Sequence, residues 1–384
     1  MTWPKVALSE VATLTWRGEA PNPDQTYRLV GVRWWGEGAY EYKTVLGSET
    51  QAPQLYRVEA GDLLINKIWA RHGSIAVADD SLAGAYGSSE FPTFILDRER
   101  LEPRFAHWFS KTTSAWAQCE ALSRGTSGKN RVKPERFLTV KIPLPPLAEQ
   151  RRIVAQLEAA AAAMSARMRA AGEVESELAA TLAAAFDRIT QDTPRSTMGE
   201  VAPLVRRPVT IDPDATYPEL GVRSFGKGTF HKPPLTGIDV GSKRLFSIEP
   251  ADLVFNIVFA WEGAIAVAEA SDAGRVGSHR FLSCVPDPSV ATATFLRYWF
   301  LSEEGLLALG RASPGGAGRN RTLGIKALEA IRVPVPSLDA QHWFDHLQAK
   351  VRAARVAQAA ATTELDALLP ALLHDVFGDA DARD

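Results

Sequence analysis

Two cysteines in 384 residues, Cys119 and Cys284, are too few and too far apart for a disulfide framework or a four-ligand zinc site. A reducing compartment suits such a chain. No uninterrupted apolar run approaches the roughly 18 residues of a membrane span, and the start, Met1-Thr-Trp-Pro-Lys5, lacks the basic-then-apolar build of a signal peptide. The expectation is a cytoplasmic protein with no membrane contact. Net charge is nearly absent as well, with 43 Lys and Arg against 45 Asp and Glu. Any binding to nucleic acid must therefore come from local patches. With 46% hydrophobic and 23% charged residues the chain is not a disordered one, and its length suits two or three domains.

Catalytic signatures are missing too. The Gly-Lys pair at Gly128-Lys129 has no Ser or Thr after the lysine, so it is no phosphate-binding loop. His342 and His346 stand four apart, but no Glu follows His342 and no third metal ligand is evident. Asn22-Pro-Asp24 lacks the second proline and the aromatic of an adenine methyltransferase motif. No serine sits in a Gly-x-Ser-x-Gly elbow.

What is present is a repeat. Gly31-Val-Arg-Trp-Trp-Gly-Glu-Gly-Ala-Tyr40 returns as Gly221-Val-Arg-Ser-Phe-Gly-Lys-Gly-Thr-Phe230, an offset of about 190 residues. Asp62-Leu-Leu-Ile-Asn66 with Gly73-Ser-Ile-Ala-Val-Ala78 returns as Asp252-Leu-Val-Phe-Asn256 with Gly263-Ala-Ile-Ala-Val-Ala268. The register persists through Gly87-Ser88 and Gly277-Ser278, then through Asn130-Arg131 and Asn320-Arg321. It slips by one at Pro143 and Pro334, and at Gln150 and Gln341. So long a register points to two copies of one unit, each a whole domain plus a connector.

Each copy opens with short runs of alternating apolar and polar residues broken by Gly, Pro, Asn and Asp, which read as strands and turns. Helical spacing follows near Pro103 to Cys119 and Ala293 to Leu309. A proline-punctuated strip, Ile142 to Leu147 or Val333 to Leu338, closes each globular part, since an α-helix cannot enter it. A long helix comes next. In the first, apolar residues recur at Ile153, Leu157, Ala160, Met164, Ala171, Val174, Leu178, Leu182 and Phe186. In the second, a heptad seam runs Phe344, Leu347, Val351, Ala354, Gln358, Ala361, Leu365, Leu368, Leu372, and Pro370 is expected to kink or end it.

The fold class expected is therefore α+β: two tandem-repeated globular domains separated by two long helices packed as an antiparallel coiled coil, with pseudo-twofold symmetry. The boundaries are 1–147 for the first domain, 148–193 for the first helix, 194–338 for the second domain, 339–378 for the second helix and 379–384 for a tail.

The strip Ile142-Pro-Leu-Pro-Pro-Leu-Ala-Glu-Gln-Arg-Arg-Ile-Val-Ala-Gln-Leu157 resembles the signature of the specificity subunit of type I restriction-modification systems, and with the duplication the resemblance spans the whole chain. The second strip departs from it, with Ser-Leu-Asp-Ala in place of Pro-Leu-Ala-Glu. The resemblance implies a non-catalytic subunit that recognises a two-part site in double-stranded DNA, one half per target recognition domain. It implies as partners DNA methyltransferase subunits, two in number, and ATP-dependent restriction subunits. S-adenosylmethionine, ATP and Mg then belong to those partners, and this chain holds no cofactor. Glu149, Gln150, Arg151, Arg152 and Gln341, at the entries to the helices, become the partner-binding residues. A rod between two domains on one face of DNA would hold half-sites about 34–36 Å apart, one helical turn. The rival classes are a divergent methyltransferase or nuclease acting alone, and a coiled-coil scaffold that binds no DNA.

Candidate DNA contacts fall in two groups. The first lies in Gly-rich basic segments of both copies: Lys129, Asn130 and Arg131, and Arg319, Asn320 and Arg321, where backbone and guanidinium groups can approach phosphates. The second comprises positions that differ inside the shared frame, since two half-sites normally differ. Lys67, Trp69, Arg71 and His72 stand opposite Ile257, Phe259, Trp261 and Glu262; Ser89 and Glu90 stand opposite His279 and Arg280. Exchanging Glu for Arg trades acceptance from cytosine N4 for donation to guanine O6 and N7. Trp34, Trp35 and Phe225 are expected in the core, and Asn66 and Asn256 at turns or strand ends.

Overall fold

The computed structural model describes residues 3–123, 130–316 and 321–378. The fold is α+β, and the chain divides into two compact units, residues 1–172 with 358–384, and residues 173–357.

The centre of the first unit is a four-stranded antiparallel sheet in the order Ala12–Thr15, Thr93–Leu96, Leu63–Ile65, Ile75–Val77. Leu63, Leu64 and Ile65 are all buried, so this short strand reads as a continuous apolar run with both faces covered. Helices Pro103–Ser110 and Thr113–Leu122 pack on it, placing Phe105, Trp108 and Phe109 in one core with Phe94 and Phe137. The second unit contains a sheet of the same order: Leu204–Val205, Phe281–Cys284, Leu253–Asn256, Ile265–Val267. Its helices Ala293–Leu301 and Glu303–Ala312 supply Phe295, Trp299 and Phe300 to the core. A bidentate ion pair pins each sheet, Arg17 to Asp62 in the first unit and Arg207 to Asp252 in the second.

The units differ beside that sheet. In the first, Thr26–Val32 and Ala39–Leu46 form a long hairpin inside a five-stranded sheet. In the second, the hairpin is cut into Thr216–Tyr217 with Leu235–Thr236, and Leu220–Val222 with Thr229–His231. Arg28 pairs with Thr44 in the long hairpin, and the residues at the same offset are Pro218 and Pro234. Proline has no N–H to give to a ladder, so two facing prolines interrupt the pairing at that rung.

The long helices run Leu147–Thr190 and Leu338–Phe377. In the first unit Ile153, Val154 and Leu157 share a core with Leu373 and Phe377, and Gln358 Nε2 donates to the Ala171 carbonyl at 2.7 Å. In the second, Leu182 and Phe186 share a core with Phe344 and Val351, and Arg355 pairs with Glu175 at 2.6 Å. Each of these core aromatics contributes roughly 1.5–3 kcal/mol by burial.

Several details correct the expected seam. Val174 and Leu368 are exposed; Leu372 packs on the core as expected, joined in the last turns by Leu369, Leu373, Val376 and Phe377. Pro370 does not end its helix. Phe377, buried against Phe105 and Phe109 at ring separations of 4.9 and 5.8 Å, anchors the turns beyond it. No helix among the described residues is long and apolar enough to cross a membrane.

Candidate nucleic-acid interface

In each unit three segments are sewn together by backbone hydrogen bonds. Asn66 follows the strand Leu63–Ile65, and its Oδ1 accepts from Ile68 N and Trp69 N at 3.0 and 3.3 Å, forming the turn its residue type favours. Lys67 N donates to Glu90 O and Val132 N donates to Lys67 O, which sets the 66–72 segment between 88–90 and 130–132. The second unit repeats the frame: Asn256 Oδ1 accepts from Val258 N at 3.2 Å, Ile257 N donates to Glu90's counterpart Arg280 through its carbonyl, and Leu323 N donates to Ile257 O. Both asparagines are thus turn residues, as their types suggest. The turns end on Gly73 and Gly263, each at positive φ (73° and 74°), where a Cβ would be strained.

The frame carries different chemistry in the two units. In the first, the Glu90 carboxylate lies 3.6 Å from Lys67 Nζ and 3.2 Å from Arg131 Nε, a compact group of one anion and two cations. Trp69 packs on Trp34 at 4.9 Å, and His72 adjoins both rings. Arg71 donates from Nε to His72 Nε2 at 3.2 Å and lies 4.0 Å from Glu120. Ser89 is exposed and Asn130 half-buried at the edge of the frame.

In the second unit the Arg321 guanidinium lies 5.0 Å over the Trp261 ring and donates to the Gly310 and Ser313 carbonyls. Both residues border an open pocket of about 830 Å³ whose walls include Leu306, Leu307 and Arg311. His279 and Arg280 are exposed. Glu262 accepts from Ser224 Oγ at 3.2 Å, and Phe259 is turned onto the core around Leu220 and Val222. Lys129, Arg319 and Asn320 lie outside the described residues.

Burial separates two of the candidate partner-binding residues from the rest. Gln150 is fully buried: its Oε1 accepts from Glu102 N, and its Nε2 donates to the carbonyls of Arg100 and Pro145. Gln341 does the same with Thr292 N, Val290 O and Pro336 O. These glutamines bracket the long helices to the globular parts and present nothing to a partner, which corrects the expectation for both. Glu149 and Arg152 pair with each other on the surface, and Arg151 pairs with Glu102.

A further correction concerns aromatics. Trp34 is 45%, Trp35 51% and Phe225 73% exposed, so none of the three is a core residue. Trp35 and Phe225 stand at hairpin tips with φ of 56° and 60°, a backbone region that bulky residues rarely adopt. Pattern reading missed them as surface groups. The available signal was the Gly-x-Gly after each aromatic, Gly36 and Gly38, or Gly226 and Gly228, all at positive φ.

Residues 1–167 match the family of the type I restriction modification DNA specificity domain. The matched residues include the segments 66–72, 88–90 and 130–132 of the first unit and the start of the long helix. Two solved structures share the fold over almost the whole chain. The HsdS subunit from Thermoanaerobacter tengcongensis is 21% identical, covering 98% of this chain and 97% of its own, with a TM-score of 0.62. A chain from a structure described as the basis of complex assembly and conformational transition of the type I R-M system is 19% identical, with the same coverage and a TM-score of 0.66. No curated protein matches the sequence.

Proposed function

We propose that the whole chain is the DNA specificity subunit of a type I restriction-modification complex. Residues 1–147 and 194–338 are two tandem target recognition domains, and each reads one half of a bipartite site in double-stranded DNA. The long helices, 148–193 and 339–378, pack as an antiparallel coiled coil that fixes the unread gap. The chain performs no bond chemistry. It holds two DNA methyltransferase subunits and ATP-dependent restriction subunits, which bring S-adenosylmethionine, ATP and Mg.

The observation that carries this reading is the reuse of one backbone frame for two sets of side chains. The frame around Lys67, Glu90 and Arg131 recurs around Ile257, Arg280 and Arg321, with the arginine kept and the lysine and the glutamate exchanged. A framework held constant while its side chains change is what two different half-sites require. Glu90 is the acceptor suited to cytosine N4 and Arg280 the donor suited to guanine. Location in the cytoplasm, beside the host DNA, goes with this role.

The test is co-expression with methyltransferase subunits encoded beside this chain, followed by mapping of methylated adenines across the host DNA. A two-part motif with an unread gap, lost when either domain is removed, supports the reading. Methylation without this chain, or methylation by the isolated chain with S-adenosylmethionine, contradicts it.

A further inference from the structure

We infer that Phe225 and Trp35 are stacking groups that take the face of a DNA base at the edge of each half-site. This rests on the specificity reading above and adds a contact which the reading frame does not supply.

Phe225 pays twice for its position. A bulky L-residue in the left-handed region is a genuine outlier, and its ring gains almost nothing by burial at 73% exposure. Gly226 and Gly228 sit beside it, so the turn already uses glycine where positive φ is needed. Among the described residues no other ring meets that of Phe225 at stacking distance. The Lys227 ammonium lies 6.0 Å from its centroid.

The tip is nonetheless fixed. Phe225 N donates to Glu262 O and Gly226 N to Gly263 O, which ties it to the segment carrying Trp261. The Arg297 guanidinium donates to Gly226 O at 2.6 Å from behind. Trp35 is held in the same way, its N–H on His72 O and that of Gly36 on Gly73 O. Its ring leans on Trp116 at 5.3 Å and His72 at 5.8 Å, so it is partly a packing residue.

The charge around the tips selects the occupant. Arg223 and Lys227 flank Phe225, and neither is paired with a carboxylate among the described residues. Arg33 occupies the corresponding place near Trp35, over the Tyr40 ring at 4.2 Å, but Glu37 stands where Lys227 does, so only Phe225 lies between two cations. At Phe225 a rigid exposed ring between cations matches a duplex base step, into which it can wedge, and the adjoining phosphate. A protein surface of acidic character would pair with the cations but leave the ring unused.

Phe225 gives the clean test, since Trp35 also packs. The full chain, assembled with its methyltransferase subunits, is compared with F225N and F225W on a duplex carrying the mapped methylation site and on an unrelated duplex. Asn tolerates the left-handed backbone, so F225N is expected to melt at the same temperature or higher. Its affinity for the mapped site is expected to fall about tenfold. F225W is expected to bind within about twofold of the parent, with its new indole fluorescence quenched by the mapped duplex. Unchanged affinity in F225N, loss of subunit assembly, or a drop in melting temperature parallel to the drop in affinity would overturn the inference while leaving the specificity reading intact. A parent complex that does not distinguish the two duplexes would overturn that reading, and the inference with it.

Discussion

The two units meet the same structural problems with different residues, and the difference separates scaffold from proposed reading surface. Each has a sheet of one strand order, an Arg–Asp clamp, a buried Gln bracket and an Asn-led turn ending on a positive-φ glycine. What changes is the chemistry mounted on them: a Lys–Glu–Arg group with stacked tryptophans in one, an Arg–Trp plate beside an open apolar pocket in the other. Shared features should therefore cost stability when removed, and unshared ones should change recognition without unfolding.

The largest expected effect is on the clamps. Asp252 has 2% of its side chain exposed, so Arg207→Met leaves a buried carboxylate without its partner and should destabilise the second unit by about 3 kcal/mol or more. Arg17→Met should do the same in the first unit, and chemical denaturation of each variant measures both. Near-zero loss in either would break the equivalence of the clamps.

A pH effect of comparable size should appear in the first unit alone. Burial, reinforced by Lys111 and Arg104, pushes His107 down to about 4 from an ordinary value of 6.5. The folded state therefore excludes a proton that the unfolded state takes up below about 6.5, so stability falls as pH drops toward about 4, by about 3 kcal/mol at most. The residue at the same offset in the second unit is Arg297, which keeps its charge through this range. Thermal melts from pH 7 to pH 4 should show this slope, and His107→Gln should flatten it; an unchanged slope would mean that another group carries it.

Smaller losses are expected at the brackets. Gln341→Leu strands one backbone N–H and two carbonyls at the entry to the second long helix, costing about 2 kcal/mol. Gln150→Leu should cost about the same in the first unit. If either variant instead melted normally but failed to bind a methyltransferase subunit, its bracket role would be wrong. The smallest effect is a gain: Ala251 holds φ of 72° where the first unit has Gly61, so Ala251→Gly should raise stability by about 0.5–1 kcal/mol. A loss there would show that the methyl group is packed.

The α+β class and the helix Leu147–Thr190 were legible because both rest on hydrophobic period and on proline placement. The Asn66 and Asn256 turns were legible because short amide side chains close such turns locally. Gln150 and Gln341 were misread because a polar residue at a helix start looks like surface, and only the fold brings the backbone groups of residues 100–102 and 290–292 to meet them. Trp35 and Phe225 were misread because hydropathy carries no information about φ. The seam of the second long helix strayed at Leu368, where a strict heptad was extended past the point at which Leu369, Leu373 and Phe377 turn toward the first unit's core.

The central claim is that each unit reads its own half-site. The most direct measurement replaces residues 194–338 with a second copy of 1–147, co-expresses the chain with the proposed methyltransferase subunits and maps the methylated adenines. The expected result is a symmetric site, the first half-site facing an inverted copy of itself across the gap. A mapped site that still contained the parent's second half would contradict the assignment of one half-site to each unit.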